Sequence, residues 1–149
     1  MRRTEQRRRA VFALYQHDLT GRDLSGLLGS DAPAFTRELA EGALAQQERA
    51  DGLISEFSQG WSLERLAPLD RNIMRVAIYE MFDCDDVPVE VSIDEAVELA
   101  KRYCAAEAPK FVNGILGTIR RERVGDKPID DHADEGDTTL SKDNESAPE

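Results

Sequence analysis

The 149-residue chain predicts an all-α fold, a single domain with an acidic tail, and three observations carry that expectation. Apolar residues recur at helical spacing along most of residues 4–124, in one-sided stripes. Prolines stand where stripes begin and glycines where they stop. No two β-branched runs are joined by hairpin turn chemistry; residues 87–91 alternate weakly, but Pro88 and the acidic flanks demote them.

The first helix is expected over about residues 4–19. Val11, Leu14, Tyr15 and Asp18 share one face, Ala10 and Phe12 widen it, and Gly21 ends it. Residues 21–31 read as a loop. A long second helix is expected from a cap at Ser30 or Asp31, with Pro33 in its first turn, to about Gly60. Phe35, Leu39, Ala43, Ala50, Leu53, Ile54 and Phe57 form its stripe. Residues 61–66 read as a short helical turn. Pro68 opens a helix to about residue 82 that is apolar almost all round, the mark of a buried central helix. Ser92 and Glu95 match a capping box for the next helix. Pro109 opens the last helix, with Phe111, Ile115, Leu116 and Ile119 inward and Gly125 as its stop.

Charge divides the chain. The net charge is −11, and residues 125–149, with nine acids and two lysines, hold −7 of it. The remaining 1–124 carry only −4, so a basic patch there is plausible. Domain boundaries are therefore set at 1–124 for the helical domain and 125–149 for a disordered acidic tail. The tail has too few apolar residues to offset the entropy of ordering it. Cys84 and Cys104, far apart and without a CxxC, read as reduced thiols of a cytoplasmic protein. No stretch has transmembrane length.

Enzyme constellations are missing: no P-loop, no GxGxxG, no GxSxG. His17 and His132 do not make a metal site with the scattered cysteines, so neither cofactor nor metal is expected. What stands out is cationic. Five of the first nine residues are arginine on an acidic chain. Arginines in a first turn oppose the helix dipole at about 0.3–1 kcal/mol each. Arg2, Arg3, Arg7, Arg8 and Arg9 thus suggest phosphate contacts, against the plainer reading of a solvated charge run. Lys101, Arg102 and Lys110, interleaved with Tyr103 and Phe111, suit single-stranded RNA. At helical spacing, however, such aromatics are more often core than stacking platforms. Asn113-Gly114 inside a helical pattern implies close approach, either of another helix or of a ligand backbone.

Taken in order, Arg7-Arg8-x-Ala10-x-x-Ala13-Leu14-Tyr15, Leu69-Asp70-Arg71-x-Ile73-x-Arg75-x-Ala77-x-Tyr79-Glu80, Asp86-Val87-Pro88, Ile93-x-Glu95-Ala96-Val97-Glu98-Leu99-Ala100-Lys101 and Lys110-Phe111-Val112-Asn113-Gly114-Ile115-Leu116 resemble the bacterial Nus factor B (NusB) antitermination proteins over about residues 3–122. The resemblance implies two packed three-helix bundles and no enzymatic activity. It implies binding to boxA-type single-stranded RNA of ribosomal RNA operons, beside the small-subunit ribosomal protein that doubles as Nus factor E, within an RNA polymerase antitermination complex. It places Arg2, Arg3, Arg7, Arg8, Tyr15, Tyr103, Glu107, Lys110, Phe111 and Asn113 at RNA, and Tyr15 and Asp70 at the protein partner. Ala108-Pro109 departs from the polar residues of other members. Some members dimerise over the RNA face, and a homodimer stays open for this chain. The competing reading is a helical protein-binding adaptor without direct RNA contact.

Overall fold

A computed structural model describes residues 2–125. Among these residues the chain forms seven α-helices and no strand: α1 (Arg3–Thr20), α2 (Leu24–Leu28), α3 (Ala34–Ala45), α4 (Gln47–Phe57), α5 (Pro68–Asp83), α6 (Val89–Tyr103) and α7 (Ala108–Ile119). A 3-10 turn at Leu63–Arg65 precedes α5, and a π-turn at Arg120–Val124 extends α7. The all-α expectation holds. One group comprises α1, α2 and α3; a second gathers α4 and α6 around α7; α5 touches α1, α3, α4, α6 and α7.

The central position of α5 follows from its composition. Ile73, Met74, Val76, Ala77, Ile78 and Met81 are all buried, so every side of the helix needs an apolar neighbour. Three polar side chains are buried with them, Asn72, Arg75 and Glu80, and each is tied to another element. Asn72 and Arg75 both donate to Asp18 at the end of α1, at 2.9 and 3.1 Å, while the Arg75 fork also takes Asp51 of α4. Burial opposes the Asp18 charge, but the hydrogen bonds from Arg71 and Asn72 outweigh it and hold its pKa below the ordinary value. This cluster ties α1 and α4 to α5 through one set of hydrogen bonds.

Several boundaries differ from the expected ones. The long second helix is broken at Gln46, whose φ of −104° and ψ of 20° leave the helical basin. The break lets α3 bury Phe35, Leu39 and Ala43 in the first group, while α4 buries Ala50, Leu53 and Ile54 in the second. Pro33, not Ser30 or Asp31, occupies the N-cap of α3. The expected loop 21–31 contains α2, because Leu24 and Leu28 are one turn apart and both bury. The capping box fails as well. Helix α6 starts at Val89, and Ser92 turns inward to donate to Glu80 at 3.3 Å. Glu95 accepts from Thr4 at 3.1 Å and lies 3.9 Å from Arg7. The Ser-x-x-Glu pattern therefore serves contacts between helices.

Glycines end the helices as expected. Gly21 takes φ 73° after α1, and Gly125 takes φ 68° after the π-turn. Residues 126–149 lie outside the described residues, and so does the expected tail apart from Gly125.

Candidate nucleic-acid interface

Long side chains of α1 and α6 meet in the same chain direction, Thr4 with Glu95 and, two turns on, Phe12 with Tyr103. Their juxtaposition builds an edge of alternating cations and rings. Tyr103 is 39% exposed and meets Phe12 edge to face, with ring centroids 5.1 Å apart. Phe12 meets Tyr15 in the same manner at 6.2 Å. The Arg8 guanidinium lies 5.9 Å from the Phe12 ring centre, and that of Arg102 lies 5.3 Å from Tyr103. Such pairings set guanidinium groups against aromatic rings along one edge.

The arginines divide sharply. Arg2 and Arg3 are exposed; Arg3 reaches Asp86 at 3.4 Å and covers the Phe35 ring at 4.1 Å. Arg8 is half-buried and donates to both carboxylate oxygens of Glu5 at 2.9 Å. Arg9 turns toward α2, where it donates to the Leu28 carbonyl at 3.3 Å.

Arg7 corrects the expectation of an exposed cluster. It is 4% exposed, and its Nε and Nη2 fork onto Glu80 at 2.8–3.0 Å. Burial disfavours its charge, yet the Glu80 carboxylate more than compensates and raises its pKa. The same burial raises the pKa of Glu95 against the opposing pull of Arg7 and Thr4. Arg7 thus lies inside the protein.

The remaining expected residues fall elsewhere. Lys110, Phe111 and Asn113 line a groove of about 830 Å³ with Phe57, Glu90 and Ile93, between the end of α4 and the facing sides of α6 and α7. Tyr103 is not among the groove's lining residues. The basic and aromatic residues on either side of the Ala105–Ala108 loop therefore serve two surfaces, where the sequence suggested one. Phe111 is half-buried, between the two roles left open for it. A Cβ added at Gly114 would meet nothing within 4 Å, so close packing of another helix does not explain that glycine. Glu107 is exposed at the start of α7, and Ala108 is buried beneath it. Asp70 is half-buried in the first turn of α5; burial first, and then the Asp70 carboxylate, push the Cys104 thiol up to about 12.

Sequence reasoning placed Phe12 only on the apolar side of α1 and gave Glu5 no role at the cluster. The spacing of Glu5, Arg8 and Phe12, three and four residues apart, was the available signal. Among the described residues no group of three His, Cys, Asp or Glu side chains is placed to hold a metal, and no helix is long and apolar enough to cross a membrane.

Comparison with known proteins agrees with this architecture. The NusB family profile matches residues 4–121. The transcription antitermination protein NusB of Dictyoglomus thermophilum is 46% identical over 122 residues, covering 80% of this chain and 84% of its own. The structure of NusB from T. maritima superimposes with a TM-score of 0.77 at 37% identity, over 84% of this chain and 94% of that one. A chain from the crystal structure of antitermination factors NusB and NusE in complex with double-stranded RNA gives 0.70 at 28% identity, over 78% and 94%. The chain belongs to the NusB family of transcription antitermination proteins.

Proposed function

We propose that this chain binds boxA-type single-stranded RNA of ribosomal RNA operons together with the small-subunit ribosomal protein that doubles as Nus factor E. In that complex it helps RNA polymerase pass terminators, in the cytoplasm and without catalysis of its own. The observation that carries the reading is the α1–α6 edge, where Arg8 and Arg102 alternate with Phe12, Tyr15 and Tyr103. Cations take phosphates and rings take unstacked bases, the two things a single strand offers. The fold shared with a chain from a NusB–NusE–RNA complex supports both partners. Arg2 and Arg3 extend the edge, the Lys110–Asn113 groove offers a second stretch for the strand, and Asp70 with Tyr15 faces the protein partner. Arg7 acts from inside, by seating α1.

The test is affinity for a boxA-type strand across a salt series, with Nus factor E present. Each phosphate neutralised on a single strand contributes about −0.7 to the log–log slope. Three or four engaged arginines give a slope of about −2 to −3. A flat response, with binding to the ribosomal protein intact, would return the adaptor reading.

A further inference from the structure

Glu5 is the one acid among the first seventeen residues, and it sits inside the cationic edge. Arg8 Nε reaches both of its oxygens at 2.9 Å, and Arg8 Nη2 also contacts it. The Arg8 hydrogen bond, with weaker attraction from Arg102 and Arg9, holds the Glu5 pKa below its ordinary value. The Arg8 guanidinium that holds it lies beside Phe12, the ring that Tyr103 meets edge to face. One carboxylate thus occupies a seat in the Arg8 fork, on an edge that also carries the exposed Arg102 and Tyr103. A guanidinium fork fits carboxylate and phosphate alike, because both present two oxygens at similar spacing.

We propose that Glu5 holds the place of an RNA phosphate on Arg8, and that RNA binds by displacing it. The proposal rests on the RNA-binding reading above. Two physical points favour displacement over a permanent structural pair. The Arg8 and Glu5 side chains are 32% and 42% exposed, the regime in which an ion pair contributes little to stability and exchanges readily. Arg7, the neighbouring residue, shows the contrast: its bond to Glu80 is buried on both sides and closed to an incoming anion. The seat also lies in the first turns of α1, where the helix dipole favours whichever anion occupies it. Glu5 therefore spares the free protein an uncompensated cluster of arginines, and it sets a threshold that a weakly held polyanion does not cross.

The test is a double-mutant cycle on Glu5 and Arg8, read as affinity for a labelled boxA-type single strand with Nus factor E present. Glu5→Gln keeps the size and removes the charge. It should tighten binding by up to about fivefold, the factor that corresponds to an exposed ion pair of about 1 kcal/mol. It should also steepen the salt slope by about 0.7. Arg8→Gln should weaken binding, and Glu5→Gln should bring no gain in the Arg8→Gln background. Circular dichroism on each variant checks that α1 stays helical. Weaker binding by Glu5→Gln would mean that Glu5 orients Arg8, and would overturn the proposal. A gain that persists without Arg8 would reduce it to long-range charge and overturn it too. Absence of RNA binding by the wild-type protein and all variants at low salt would instead remove the RNA reading itself, and the seat with it.

Discussion

Replacing Arg7 with alanine should unfold the protein far more readily while leaving the RNA edge chemically intact. The side chain is 4% exposed and Glu80 1%, with three hydrogen bonds of 2.8–3.0 Å between them. Truncation leaves a buried carboxylate without its counter-charge, which costs about 3–5 kcal/mol. For a helical domain of this size each kcal/mol moves the melting midpoint by roughly 3–6 °C, so the midpoint should fall by about 10–30 °C. Urea denaturation gives the free energy directly, and RNA affinity is then measured well below the lowered midpoint. The double variant Arg7→Met with Glu80→Leu should recover most of the loss, because the desolvation cost disappears with both charges. Arg7→Lys should recover little, since one ammonium does not reproduce the fork. A loss of stability under about 1 kcal/mol accompanied by a large loss of RNA affinity would refute the reasoning. It would mean that Arg7 leaves Glu80 and faces the RNA.

Three further outcomes are expected. Gly114→Ala should stabilise the free protein by about 0.5–1 kcal/mol, because the site is open and alanine is the better helix former; it should weaken RNA binding if a ligand backbone approaches there, so opposite signs in melting and affinity are the signature. Gly42→Ala should destabilise by at least about 1–3 kcal/mol, since a Cβ there would fall 2.2 Å from the Tyr79 ring; Tyr79→Leu in the same chain should relieve it in thermal melts. Asp18 has its pKa lowered in the folded state, so its contribution is fully present above the unfolded carboxylate value of about 4 and is lost as the pH falls through the folded value. The stability gap between the wild type and Asp18→Asn should therefore stay constant near neutral pH and close below about pH 4 in denaturant titrations.

The helical class, the burial of α5 and the stops at Gly21 and Gly125 were all legible in the sequence. Each depends on spacing along one stretch of chain, which fixes the buried face of a helix before any partner is known. Gln46 was not legible, because no proline or glycine marks residues 44–48 and the break answers only to two separate cores. Ser92 and Glu95 matched a local capping pattern, but Glu80 and Arg7, brought in by other helices, claimed both side chains. The same limit governs the candidate site. Arg7 and Arg8 are adjacent and alike in sequence; one turns to a buried glutamate 73 positions away, the other to Glu5 at the surface. Phe12 became part of a surface only because α6 carried Tyr103 beside it. Sequence thus determined which faces are apolar and where charge accumulates, since both are properties of neighbouring residues. Which arginine is buried and which meets solvent was decided by the tertiary structure, because an ion pair depends on the distance to a partner that only packing supplies.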